Sequence, residues 1–224
     1  MQLRIVLSIF WRPRAAFGRL LSHPRASVAI LLLVGCLWAS HWAVYQRVDV
    51  GAMERAVAVS LAEESPGKSV PDKEVCEEAQ RRLAAYRILG YPAIGVGVLV
   101  ALAPASLLFY LLLGAWGEGL GFRRCYRMLA HACLPLGLRQ LLALPVIFSY
   151  PSIHPLATRG LFKTDLASAL GQAAFPVASW LDPFWIWMAV LVVLAGRAMG
   201  RGRLRSMIVG LVFFGLFGLL GQVV

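Results

Sequence analysis

The chain has 224 residues, 59% of them hydrophobic and 15% charged. Soluble domains carry about a quarter of their residues as charged side chains, so this composition excludes an ordinary water-soluble domain. The formal net charge of +11 would suggest nucleic acid in a soluble protein; in so apolar a chain it reads as sidedness, because basic residues collect on the cytoplasmic face of a membrane, and no nucleic-acid partner is expected.

Residues 1–26 form a basic leader. Arg4, Arg12, Arg14 and Arg19 stand against Leu3, Val6, Phe10, Phe17, Leu20 and Leu21, with Pro13 and Pro24 as breaks and no acid. The pattern predicts two short amphipathic helices on the inner leaflet, held by apolar burial and by anionic lipid, and makes the four arginines candidate lipid-surface residues. A protein-docking role for the same segment stays open.

Residues 27–224 then read as a membrane domain. Apolar stretches long enough to span a bilayer lie at about 27–45, 89–114, 129–149, 183–199 and 206–222. The third is the least apolar. Segment 46–88, the first loop between spans, holds eight of the eleven acids and seven bases. Segment 115–128 has Arg123, Arg124 and Arg127 against Glu118, and segment 150–182 has Arg159 and Lys163 against Asp165 and Asp182. Segment 197–205 has Arg197, Arg201, Arg203 and Arg205 and no acid. Strongly basic segments alternate with neutral or acidic ones. The expected fold is therefore an all-α membrane protein of five transmembrane helices, with a cytoplasmic N-terminus, an extracytoplasmic 46–88 loop and an external C-terminus.

The first span contains LVGC ending at Cys36, which is similar to a lipoprotein acylation box. The apolar run continues through Leu37 and Trp38, however, which favours an ordinary packing cysteine. Cys76 is alone in the outer segment, Cys125 and Cys133 are eight residues apart, and His23, His41, His131 and His154 are scattered. No metal or other cofactor is expected from this spacing. GAWGEGLGF at 114–122 has a GxGxG core, but a membrane span precedes it where a dinucleotide site needs a strand, so a flexible turn is expected. GxSxG, HExxH and P-loop motifs do not occur, and the chain reads as non-catalytic.

Three polar residues near or within the spans are the candidate contacts to a partner or pathway. Arg139 falls near the middle of the third span beside Gln140, where an arginine costs about 2.5–3.5 kcal/mol on insertion scales. It either snorkels to a headgroup or meets a counter-charge, for which Asp182, Glu118 and an anionic ligand are the alternatives. Asp182 precedes Pro183 at the start of the fourth span, the arrangement of an N-cap followed by proline at the first helical position. Trp180, Trp185 and Trp187 around it fit an aromatic belt at the outer interface, with residues 164–179 as a short interfacial or re-entrant helix leading in. In the fifth span Gly215, Gly218 and Gly221 form a small-residue stripe suited to helix packing.

RPRAAFGRLLSHP, GAWGEGLGFRRCYRMLAHACLP and LDPFWIWMAVLVVLAG, in that order over 12–222, resemble segments of the bacterial Yip1-domain membrane proteins. The resemblance implies five spans with a cytoplasmic N-terminus. Eukaryotic members bind prenylated GTPases, but the Asp-Leu-x-Gly-Pro-Leu and Gly-Tyr motifs of that group are not present here; Tyr91 follows Gly90 in a different setting. The arginine- and alanine-rich composition points to a bacterial cytoplasmic membrane. The expected function is a scaffold or accessory subunit of a membrane complex, with anionic lipids and other membrane proteins or a second copy as partners. A permease or channel for a small or anionic solute, lined by Arg139, is the alternative; a lipid-directed enzyme ranks last.

Overall fold

A computed structural model describes residues 2–22, 26–64, 71–114, 121–153 and 182–223. Among them the chain is helical: α1 (Gln2–Trp11), α2 (Pro13–Ser22), α3 (Ala26–Tyr45), α4 (Val50–Glu64), α5 (Asp72–Gly114), α6 (Phe122–Ala132), α7 (Leu134–Ser149), α8 (Pro183–Ala198) and α9 (Arg203–Val223). An isolated parallel bridge joins Val48 to Ile153. Among the described residues three helices are long and apolar enough to cross a membrane: Ala26–Tyr45, Asp72–Gly114, and Phe122–Ser149, in which α6 and α7 run on through Cys133. Pro183–Ala198 is apolar but shorter.

Contacts between named side chains fix the directions. Gly137 lies against Leu33 and Cys36, and Ser40 Oγ donates to Gln140 O at 2.9 Å, so α3 and α7 run parallel. Trp38 Nε1 donates to Tyr91 O at 2.8 Å and Arg87 stacks over Tyr45, so α5 runs against α3. Gly196 lies against Ser206 and Gly210 against Val193, which makes α8 and α9 an antiparallel pair. Phe109 and Phe213, with ring centroids 5.8 Å apart, bring α9 onto the far half of α5. A main core gathers Phe109, Met128, Leu129, Met188, Leu191 and Phe213, and a smaller one joins Ala43 and Val44 to Ala143 and Ile147.

The expected 46–88 loop is largely helix. Asp49 Oδ1 accepts from Ala52 N at 3.0 Å and caps α4, an Ala-rich segment of high intrinsic propensity. The start of α5 carries Asp72 and Glu74 in its first turn, where the helix dipole favours acids. The i,i+4 pairs Lys73–Glu77 and Glu78–Arg82 stiffen it further. A 43-residue helix is about 65 Å long, twice a bilayer core, so its first half extends well beyond the apolar stretch.

The N-terminal pair corrects a second expectation. Ile5, Val6, Ile9, Ala16, Phe17 and Leu20 are buried in the main protein core rather than presented to lipid. Phe10 packs edge-on against Trp187 of α8, with centroids 5.1 Å apart. The amphipathic pattern is real; its apolar face is taken up by α3 and α8. Arg4, Arg12, Arg14 and Arg19 remain exposed on the opposite side.

Candidate functional site

α7 carries Arg139 into the bundle. Its level follows from its neighbours: Gly137 meets Leu33 and Cys36, and Gln140 meets Ser40, so Arg139 stands opposite the stretch between Cys36 and Ser40. That is within roughly 7 Å along the axis of the midpoint of α3. There Arg139 Nε lies 3.3 Å from Asp182 Oδ2, with the side chains 26% and 2% exposed. Of the counter-charges open to it, Asp182 is the one in contact; Glu118 lies outside the described residues.

Asp182 holds two roles at once. Its Oδ1 accepts from Phe184 N at 2.8 Å, with an extended backbone (φ −84°, ψ 124°) and Pro183 at the first helical position. Oδ2 meets the guanidinium. The carboxylate thus sits between the positive end of α8 and a cation on α7, and both attract it. Removing either partner takes from the other the opposite charge it faces, at a site where Asp182 is 2% exposed. Chemically the pair is a clasp between two helices.

This places the start of α8 level with the middle of α3. Trp185 and Trp187 are partly buried against the main core, which corrects the aromatic-belt expectation for both; Trp180 and residues 164–179 lie outside the described residues. Of the glycine stripe, a Cβ at Gly215 would meet nothing within 4 Å, and the surroundings of Gly218 and Gly221 lie outside those described. A close approach of α9 within the bundle is made at Gly210, where a Cβ would strike Val193 and stand 3.2 Å from Ala189 O, and at Gly196, where it would stand 3.0 Å from Ser206 Oγ.

One polar junction was not foreseen. His41 of α3, buried to 9% exposure, lays its ring over Gly90, where a Cβ would force the ring to move. Tyr86 and Tyr91 flank it at centroid distances of 4.6 and 5.0 Å. The signal was there in a histidine within an apolar run and a glycine 49 residues on, but only the fold pairs them. Cys36 packs against Gly137, and Cys125 and Cys133 are buried. Among the described residues no group of three or more His, Cys, Asp or Glu gathers as a metal site would require.

No protein-family model, curated protein or solved structure matches the chain. The resemblance to Yip1-domain proteins stands on its three quoted segments alone.

Proposed function

We propose that this chain is a five-span integral protein of a bacterial cytoplasmic membrane, related to the Yip1-domain proteins. On this reading its N-terminus is cytoplasmic, its C-terminus is external, and it serves without catalysis as a scaffold or accessory subunit of a membrane complex. The alternating helix directions and the basic segments at one end of the bundle support the topology. The observation that carries the function is the surface of α5. Of the three helices long and apolar enough to span, it has the apolar stretch least covered by the described residues. A Cβ at Gly95 or Gly97 would meet nothing within 4 Å, and Val96, Leu99 and Val100 beside them are exposed, as are Leu107 and Leu111 further along the helix. Small residues let a second helix approach closely in lipid, and the helix continues outward as a rod carrying α4. Both halves offer contact area that the described residues do not use.

The test is a pull-down of the full-length tagged protein from native membranes in mild detergent, with mass spectrometry of what is bound. Stoichiometric membrane partners, lost on Gly97→Leu, support the reading; recovery of the chain alone from native membranes sinks it. A transport role is the second reading, favoured by the partial exposure of Arg139. It requires that Arg139→Ala abolish solute flux in proteoliposomes while the protein stays folded.

A further inference from the structure

α5 joins two bodies. Its later part is gripped by the bundle, with Leu102, Phe109 and Leu113 buried in the main core. Its earlier part travels with α4, because the Cys76 thiol donates to the Glu54 carboxylate and Arg82 donates to Ser60 Oγ at 3.4 Å. The base of this arm is held to the bundle. Asp49 N donates to Ile153 O at 2.9 Å just before α4. On the other side α3 holds α5: Trp38 Nε1 donates to Tyr91 O, the His41 ring covers Gly90, and Arg87 stacks over Tyr45.

Between the two grips on α5 lies a weak stretch. Pro92 has no N–H to give Ile88 O, and its ring crowds the preceding turn. Gly95 and Gly97 follow, of the type with the lowest helix propensity after proline. A Cβ at either would meet nothing within 4 Å, and Val96, Leu99 and Val100 are exposed. Local propensity and tertiary support are both poor there, and helices bend at such places.

The grip by α3 carries a cost of its own. His41 is 9% exposed, and the Tyr86 backbone carbonyl reaches its ring. Nε2, which lies over Gly90, nevertheless has no hydrogen-bond partner among the described residues. A buried polar atom left in this way favours any arrangement that gives it a partner. What keeps the ring in place is the flanking Tyr86 and Tyr91 rings and the missing side chain of Gly90.

We infer that the His41–Gly90 contact is a latch and Pro92–Gly97 a hinge, so that α4 and the first half of α5 swing as one arm. Joined to the bundle through residues 46–49 and through Pro92, the arm turns about the line between those points. Opening frees Nε2 to meet water or a lipid headgroup and uncovers α5 at Gly90. Gly97 lies about two turns further along the same face, so the open state lengthens the surface offered to another helix. These contacts are present whether or not a partner docks, and a pull-down without partners leaves the latch standing.

The test is pulsed electron spin resonance on the full-length protein in nanodiscs, in a background of Cys36→Ala, Cys76→Ser, Cys125→Ala and Cys133→Ala. Labels at Val59→Cys on α4 and Leu142→Cys on α7, both exposed, report the arm against the bundle. Labels at Val59→Cys and Lys73→Cys report the arm internally. The first pair is expected to give two distances and the second pair one. Gly90→Ala puts a methyl group where the ring lies and should raise the ratio of open to closed about tenfold. Trp38→Phe loses the bond to Tyr91 O but keeps a ring; it should shift the ratio the same way, and it serves where Gly90→Ala fails to fold. Gly97→Ala, in open space, stiffens the hinge and should lower the ratio about fivefold. In a His41→Ala background Gly90→Ala should add nothing, because the ring it strikes is gone. A single, unshifted distance for the first pair in the wild type and in the folded latch variants overturns the inference. So does an open population that Gly97→Ala leaves unchanged, or one matched by broadening of the second pair, which would mean that the arm melts instead of swinging.

Discussion

Arg139 Nε and Asp182 Oδ2 stand 3.3 Å apart, joining the middle of α7 to the first residue before α8. The two positions are 43 residues apart in sequence, and the carboxylate also caps the helix it precedes. A single side chain therefore fixes both where α8 begins and what it leans on.

This arrangement separates by mutation. Asp182→Asn keeps a good N-cap but removes the charge, leaving Arg139 without its carboxylate near mid-height of the bundle. The expected loss is on the order of 3 kcal/mol. Asp182→Ala should lose about 1 kcal/mol more, because the cap goes too. Replacing both partners, Arg139→Met with Asp182→Asn, should cost less than the sum of the single changes. Thermal unfolding in detergent closes the cycle, and strict additivity would mean that the pair is not coupled.

The glycines of α9 and its partner give a second contrast. A methyl group at Gly210 meets Val193, whose branched side chain has one favoured rotamer in a helix and little freedom to yield. Gly210→Ala is expected to cost about 1–3 kcal/mol through overpacking. Gly215→Ala, in open space, should be neutral or gain up to about 1 kcal/mol from helix propensity. The midpoint of thermal unfolding of the two variants decides; equal shifts would remove Gly210 as the packing contact.

Much of the bundle was legible because hydrophobic length is a one-dimensional property. The apolar stretches 27–45 and 183–199 coincide with α3 and α8 almost to the residue, since each is bounded by turn or cap chemistry. The start of α5 was not legible as part of the same element. A membrane span ends by composition where a helix does not, and Ala-rich, charge-paired sequence from Asp72 onward keeps the backbone helical. Asp182 was readable as a cap from its neighbour Pro183 alone, and it stood among the counter-charges open to Arg139. Its level in the bundle was not readable, because that depends on how α8 sits against α7. The contacts at Gly210 and Gly196 were not readable for a similar reason: which glycine is covered depends on the crossing point of two helices.

The N-terminal helices are the place where amphipathicity misleads most. Their apolar face is in the core, with Phe17 and Ile9 fully buried. Phe17→Ala should therefore cost about 3–5 kcal/mol of stability, whereas neutralising the exposed Arg4 and Arg14 together should change it by less than about 0.5 kcal/mol. Were the pair a surface anchor, the order would reverse, with Phe17→Ala altering membrane partition and not the unfolding midpoint.

Cys76 supplies a readout of the segment between α4 and the apolar stretch of α5. It lies on the part of α5 before the apolar stretch, where its thiol donates a hydrogen bond to the Glu54 carboxylate on α4; that bond, with smaller contributions from burial and from the negative charges of Glu54 and Glu77, holds its pKa above the ordinary thiol value. The thiolate is the reacting form, so at neutral pH alkylation should be slower than for a free cysteine and should accelerate as pH rises through the elevated value. Glu54→Gln removes the strongest acceptor and the charge together, and should move the rate–pH curve toward lower pH. Applied to intact cells with a membrane-impermeant maleimide, the same reaction reports sidedness: labelling of Cys76 without permeabilisation supports the proposed topology, and labelling only after permeabilisation inverts it. An unchanged rate–pH curve in Glu54→Gln would place α4 away from α5 in the membrane-bound protein.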